Sequence, residues 1–500
     1  MIAKIHSLIP YGFDAKLVEV EGDMNRGLPA FNIVGMANKT INESKERVRS
    51  AVVNSGFSFP DKKVTINLAP AGLQKDGAYL DLPIALSIML LSGQLIRDDI
   101  KDKVFVGELS LNGEIRPIKG IINIVEAAKK AHFREIFVPI KNLSQASLIS
   151  GITIYGVSSL RELYLSFKNQ VSLVSSDTIN IAYSKQEING PFLDYVLGQS
   201  LAKRAIEIAI AGHHNLLISG PPGSGKTLLA KVASNLLPDL SPQEMIDITK
   251  IYSIAGLTTD EIIGVRPFRA PHHSASATSV IGGANGPGEI SLAHKGVLFL
   301  DEMPEFPRSV LEALRQPLED KCISVSRVGN KVIYPADFML IGTMNPCPCG
   351  YLNDPTHECK CTETQIQNYK KKLSGPLYDR IDMNIVVDRV NNRELRENLP
   401  PTNHEHNVVK NTITEAISRQ RARYKQDGMY NSSLSSYQVT QLLKLESAAE
   451  KLLANASERL SLSARSYFKT IKVAQTIADL EKSDVILVKH LAEALTFRSR

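Results

Sequence analysis

Tryptophan is absent from this chain of 500 residues, and cysteine occurs only five times. Aromatic residues make up 6% of it, so a platform for stacking nucleic-acid bases is not evident. No apolar run approaches the ~20 residues needed to cross a bilayer. The nearest, "LPIALSIMLLSG", reads as a buried helix. The opening stretch "MIAKIHSLIPYGFDAKLVEV" has no long apolar segment followed by a small-residue cleavage site. The expectation is a cytoplasmic chain with no membrane partner, in a compartment where lasting disulfides are rare. A strong excess of one charge is also missing. The net value of +6 favours a polyanionic partner only slightly.

What is present has the makeup of a globular protein: 43% hydrophobic and 22% charged, which excludes disorder as the main state. The length exceeds what one core can hold and implies roughly two to four domains. In residues 1–165, strand-like and helix-like segments alternate ("AKLVEVEG", "FNIVG", "KTINESKERVRSAVVNSG", "KVTINLAP"), the pattern of an α/β domain. Residues 166–190 are polar and aperiodic, as in a linker. Residues 191–398 form a second α/β region with Gly/Pro-marked loops, and 399–500 carry apolar residues at helical spacing, as in a small helical domain.

The second region holds "NLLISGPPGSGKTLLAKVASNLL", an apolar strand, a glycine-rich loop and a helix. This is the context a phosphate-binding loop requires. The loop Gly220, Pro221, Pro222, Gly223, Ser224 and Gly225 would wrap phosphates with backbone N–H groups. Lys226 would reach the β- and γ-phosphates, and Thr227 would offer its hydroxyl to Mg²⁺. In "GVLFLDEMPEF" a second apolar strand ends at Asp301 and Glu302. Asp301 would hold the same Mg²⁺ through water, and Glu302 would orient and deprotonate the attacking water. A third strand, "FMLIGTM", ends at Asn345, placed to face the γ-phosphate. Arg380, in "LSGPLYDRIDM", lies between two aspartates. It reads as a local ion pair or, in a ring ATPase, as a group reaching a neighbour's γ-phosphate. Arg465, in "LSARSYF", opens a helix from which it could also contact phosphate.

In this order these pieces resemble the AAA+ ATPases, and one branch in particular, the magnesium-chelatase-like ComM/YifB family. The resemblance spans the chain. It is carried by "LGQSLAKRAIEIAIAGHHNLLISGPPGSGKT", "RPFRAPHHSASATSVIGGANGPGEISLAHKGVLFLDEMPEF", "GTMNPCPCGY", "LSGPLYDRID" and "SARSYFKTIKVAQTIADL". It implies ATP and Mg²⁺ as cofactors and a hexameric ring with sites between subunits. Lys226 and Thr227 become the Walker A pair, Asp301 and Glu302 the Walker B pair, Asn345 sensor 1, Arg380 the arginine finger and Arg465 sensor 2. Arg465 is not assigned to a particular subunit. Gly198 and Gln199 would lie near the adenine.

"APAGLQKDGAYLDLPIAL" and "VGELSLNGEIRPIKGIINIVEAAKKAHFREIFVP" resemble the proteolytic domain of Lon. That fold's serine and lysine positions fall on Tyr79 and on or beside Ile122, after Lys75-Asp76-Gly77. Lys119 is three residues from the lysine position. Neither nucleophile nor base is present, so a non-proteolytic binding or assembly domain is expected.

Between Glu302 and Asn345, "LEDKCISVSRVGNKVIYPADF" reads as a hairpin turning at Gly329-Asn330, with Lys321, Arg327 and Lys331 on it. Arg266, Arg269, His272 and His273 make the "RPFRAPHH" segment basic, and the glycine-rich turn after it looks like the helix-2 insert of such ATPases. Repeated around a ring, these charges would suit phosphate backbones. Ordinary solvated lysines are the alternative. The family resemblance implies a DNA motor acting on single-stranded and branched DNA. It would drive branch migration in natural transformation, with recombination proteins as possible partners. A metal-chelatase-like motor subunit and a protein-remodelling ATPase are the rivals.

Cys347, Cys349, Cys359 and Cys361 form two Cys-x-Cys ends of one short loop. Structural Zn²⁺ bound by four thiolates is the leading reading, with His357 as a substitute ligand. Inert thiols, an iron–sulfur cluster and disulfides follow in that order.

Overall fold

A computed structural model of the chain describes residues 2–35, 39–73, 75, 78–178, 190–283, 286–327, 330–352, 354, 357–389 and 403–498, without the side chains of 39–42, 326, 327 and 330. Asp76, Gly77, residues 179–189 of the expected linker, Gly329 at the hairpin turn and the side chain of Arg327 therefore lie outside the described residues. The chain divides into two units, Met1–Lys185 with Ser241–Gly264, and Gln186–Leu240 with Val265–Arg500.

The first unit is built on an eight-stranded mixed sheet. Its order is Val174–Ser175, Thr153–Val157, Glu135–Pro139, Lys103–Phe105, Ala3–Tyr11, Asp14–Asn25, Lys63–Ala69 and Ala30–Val34. Ala3–Tyr11 and Asp14–Asn25 pair antiparallel from Ala3↔Gly22 to Tyr11↔Asp14, turning at Gly12, whose φ is 65°. The helix Asp81–Leu91 packs on this hairpin and is buried along its whole length, as its unbroken apolar run demands. It comes so close that a Cβ on Gly22 would lie 2.3 Å from Ser87 Oγ. The Asp81 carboxylate, itself fully buried, receives Arg47 Nε at 3.0 Å.

Two parts of this unit differ from what sequence patterning suggests. Val174–Ser175, within the expected linker, adds an edge strand antiparallel to Thr153–Val157. Two residues are too few to show a period. The helix Pro242–Ala255, read as part of the second region, groups with the first unit. Ser241 and Glu244 close its N-terminus as a reciprocal capping box. Lys250 pairs with Glu126 at 2.7 Å, and Ser253 donates to Gln145 Oε1 at 3.1 Å. At the Lon-like serine position Tyr79 is half-buried, and burial pushes its phenol up to about 12. Ile122 is fully buried, and the Lys75 ammonium donates to the carbonyls of Gly35 and Leu68 at 3.1 and 2.8 Å.

The second unit is α/β, with a parallel sheet and C-terminal helices. The sheet order is Phe268–Arg269, Val297–Leu300, Met339–Met344, Leu216–Ser219 and Met383–Val386. The central strands are continuous apolar runs because both faces are covered; every residue of Met339–Met344 is buried. Leu216 pairs with Ile341 and Ser219 with Met344, while Val297 pairs with Met339 and Leu300 with Gly342. This register brings the ends of three strands to one edge, where α/β sheets bind ligands. The helices His404–Tyr424, Ser447–Arg459, Ala464–Leu480 and Val488–Thr496 share one apolar cluster with the sheet. The strands Cys322–Arg327 and Asn330–Pro335 form the expected hairpin, from Cys322↔Pro335 to Arg327↔Asn330.

Candidate nucleotide and metal sites

The loop after Leu216–Ser219 reaches its helix, Lys226–Leu236, through Gly223 and Gly225, at φ of 77° and 79°. Only glycine takes this left-handed conformation freely. A Cβ on Gly220 would sit 2.4 Å from the Val387 carbonyl. The Lys226 ammonium is folded over the loop. It donates to the carbonyls of Gly220 at 2.7 Å and Pro221 at 3.0 Å, and to Asn345 Oδ1 at 3.2 Å. Desolvation holds its pKa below the ordinary lysine value, against the pull of Asp301 and Glu302. Gln199, itself at φ 48°, donates to the Ser224 carbonyl at 2.8 Å and so braces the loop from below. Gly198 beside it has a φ of 60°. Ser224 Oγ donates to the Pro221 carbonyl at 2.9 Å.

Across the loop, Thr227 Oγ1 lies 3.3 Å from Asp301 Oδ2. A hydroxyl and a carboxylate side by side are the hard oxygen ligands that Mg²⁺ prefers, so these residues fit that ion. The other Asp301 oxygen accepts from Thr343 Oγ1 at 2.6 Å, and Thr343 Oγ1 accepts from Glu302 N at 2.9 Å. One buried hydroxyl thus fixes both acidic residues. Glu302 has a φ of 51°, a conformation that costs a non-glycine residue energy and recurs at functional sites. Its carboxylate lies 3.9 Å from His273 Nδ1, and the His273 ring lies 4.1 Å from that of His272. Asn345 N donates to Tyr369 Oη at 3.3 Å; burial pushes that phenol up to about 12.

Thr343 and Tyr369 were not singled out as site residues by sequence reasoning, and His273 was named only as part of the basic "RPFRAPHH" segment, not beside Glu302. Thr343 had a signal, a lone hydroxyl in an otherwise apolar strand two residues before Asn345. Tyr369 had none.

Arg380 and Arg465 come together, but not here. Asn215 N donates to Asp382 Oδ2 at 2.9 Å, and Leu216 pairs with Met383. Arg380 therefore lies beyond the N-terminal edge of the sheet. The Leu216–Ser219 strand separates that edge from the phosphate loop by about 10 Å. Arg380 Nη2 pairs with Glu319 Oε1 at 2.7 Å, and Arg465 Nη2 pairs with the same oxygen. Both line a cavity of about 620 Å³ that also receives Lys321, Lys469 and Lys472.

The four clustered cysteines have their Sγ atoms within 4.8 Å of one another. Cys347 Sγ is 3.3 Å from Cys349 Sγ and 3.7 Å from Cys359 Sγ, and Cys349 and Cys359 are 3.6 Å apart. Tetrahedral zinc with Zn–S bonds of ~2.3 Å sets sulfurs ~3.8 Å apart, so the donor set fits that metal. All four are free thiols rather than disulfides. His357 is not part of the group: it stacks on Tyr351 at 4.8 Å and pairs with Asp354 at 3.6 Å. The loop packs tightly on the phosphate site, because a Cβ on Gly350 would lie 2.7 Å from Pro222 Cδ.

Of the basic residues considered for nucleic acid, three are engaged within the chain. Arg269 grips Glu289 with two nitrogens at 2.6 and 2.7 Å. Arg266 donates to the carbonyls of Pro238 and Lys295 at 2.6 and 2.7 Å. Lys321 pairs with Asp337 at 2.7 Å. Lys331 is exposed on the hairpin.

A glycine loop, an acidic strand end and an asparagine converging on one edge of a five-stranded parallel sheet define a P-loop core of the AAA+ class. Comparison with known proteins narrows the class. Residues 192–395 match the family model "Magnesium chelatase, subunit ChlI", residues 20–142 match "Subunit ChlI of Mg-chelatase", and residues 403–498 match its C-terminal model. Competence protein ComM of Haemophilus influenzae is 39% identical, covering 100% of this chain and 97% of that protein. YifB of Escherichia coli, described as uncharacterized, is 39% identical over 99% and 96%. The magnesium-chelatase 67 kDa subunit of Chlorobaculum parvum is 29% identical over 30% of this chain and 23% of its own length. The chain belongs to the ComM/YifB family of magnesium-chelatase-like proteins.

Proposed function

We propose that the protein is a ring-forming ATPase, most simply a hexamer, that converts ATP hydrolysis into movement along single-stranded and branched DNA. It drives branch migration and the integration of single strands in natural transformation, in the cytoplasm and alongside recombination proteins. The observation that carries the ATPase is the convergence of Lys226, Thr227, Asp301, Glu302 and Asn345 at one sheet edge. In this reading Lys226 and the loop amides bind the phosphates, and Thr227 and Asp301 would hold Mg²⁺, which would supply charge neutralisation. Glu302 orients and deprotonates water, and Asn345 reads the γ-phosphate. Arg380 and Arg465 lie across the sheet from their own phosphate loop, which supports their acting on the nucleotide of a neighbouring subunit. A Zn²⁺ on the four cysteines ties the loop after Asn345. The competence relative supports DNA as the substrate, and exposed Lys331 on the hairpin is the group best placed to meet its backbone.

The test places the purified protein with ATP-Mg²⁺ beside single-stranded, duplex and junction DNA and beside unfolded protein. Stimulation by junction or single-stranded DNA, lost in Glu302→Gln, is the expected result. Stimulation by unfolded protein alone would make the chain a remodeller. ATPase indifferent to both, answering only to chelatase-type partner subunits, would make it a metal-insertion motor, the reading that the chelatase family models favour.

A further inference from the structure

The two arginines of the N-terminal edge share a single acceptor. Glu319, on the short helix Arg315–Asp320, bonds both through one carboxylate oxygen. Side by side the guanidinium groups repel, so the carboxylate is what gathers them. They in turn hold it below the ordinary glutamate range, Arg380 first and then Arg465. The three groups differ in exposure. The Arg380 side chain is 10% exposed, whereas Glu319 is 41% and Arg465 42% exposed. Arg380 is also incompletely satisfied. Its Nη1 donates to the Pro376 carbonyl at 2.6 Å, but its buried Nε has no hydrogen-bond partner. A buried donor without an acceptor is costly and marks a place where another group belongs. The cavity is also lined by Lys321, which pairs with Asp337, by Lys469 and Lys472, which donate to the carbonyls of Ile381 and Ser432, and by the carboxylates of Asp379 and Asp382.

We propose that Glu319 is a latch. It holds Arg380 and Arg465 in a lone chain and yields them to the terminal phosphate of a nucleotide bound by a second copy of this chain. The inference rests on the ring-ATPase reading and adds a positioning residue to it. The exchange runs toward phosphate for three reasons. A terminal phosphate carries more charge than a carboxylate and offers three oxygens to two planar forks. The exposed Glu319 regains water when released, whereas a buried carboxylate would not. Arg380 Nε gains the acceptor it lacks. The same competition makes Glu319 a cost of assembly, since each new interface must first displace it.

Glu319→Gln keeps the shape and removes the charge. With a non-hydrolysable ATP analogue, this variant should assemble at about three- to tenfold lower protein concentration than the parent by analytical ultracentrifugation, the range set by two partly exposed pairs. ATPase at concentrations too low for the parent to assemble should rise by a similar factor, while nucleotide affinity of the isolated chain stays the same. Adding Arg380→Ala should erase the gain, because the carboxylate acts through that arginine. If Glu319→Gln melts below the parent, Glu319→Asp, one methylene too short to bridge both arginines, should show the same gain. A folded variant assembling at or above the parent's concentration overturns the latch while parental ATPase remains. A parent that neither assembles nor hydrolyses ATP overturns the latch together with the ring reading.

Discussion

The two edges of the parallel sheet carry cations in different states. At the C-terminal edge the Lys226 ammonium is directed at two carbonyls and an amide oxygen, all neutral, and its acidic neighbours are fixed by one buried threonine. At the N-terminal edge two guanidinium groups are held by an exposed carboxylate, and one buried donor has no partner. At the first edge the cation is held by neutral acceptors that a phosphate would outcompete. The second is arranged to give something up.

Substitutions separate the edges. Glu302→Gln should lower kcat by about 10³-fold or more, with ATP still bound, because it removes the base and leaves the phosphate cradle; single-turnover hydrolysis and nucleotide binding check this. Arg380→Ala should cost a similar factor of about 10³ in kcat. Its effect should be rescued at mixed interfaces when Arg380→Ala chains are combined with Lys226→Ala chains. If mixing restores nothing, the second edge does not act on a neighbour. Thr343→Val leaves Glu302 N without its partner and should destabilise the fold by about 1–3 kcal/mol. It should also slow hydrolysis by roughly tenfold, seen in denaturant melts and steady-state rates. Cys359→Ser with Cys361→Ser should abolish a stoichiometry of about one zinc per chain in elemental analysis and lower thermal stability. An unchanged melt would show that metal does not tie the loop. The smallest effect belongs to Lys331→Ala, expected to reduce the salt-dependence slope of DNA binding by about one unit.

The fold class and the phosphate loop were legible in sequence because their signals are local: an apolar strand, six loop residues and a helix, contiguous in the chain. The acidic pair and Asn345 were legible because each ends an apolar run. Thr343 stood out as a lone hydroxyl in its strand, but its partner was set by the register that places Leu300 opposite Gly342 and so Asp301 level with that hydroxyl. Tyr369 and Glu319 depend on contacts across 24 and 146 residues, for which no periodicity gives a cue. The basic block around Arg266 and Arg269 shows the converse. Charge is legible in sequence, but its partner is not, and here it is Glu289 and the Pro238 carbonyl that take these arginines. The cysteine loop was legible because spacing and scarcity spoke together. His357, equally near in sequence, turns away to Tyr351.

The helix Pro242–Ala255 gives the chain an unusual itinerary. Since Ser241–Gly264 groups with Met1–Lys185, the polypeptide passes between the two units at three places rather than one. No single cut can free either of them. A shortened protein beginning near Gln186 would keep this helix and lose Glu126 and Gln145, stranding the buried Lys250 and Ser253. Removing the first unit by truncation therefore also removes the partners of a helix that the second segment of chain carries.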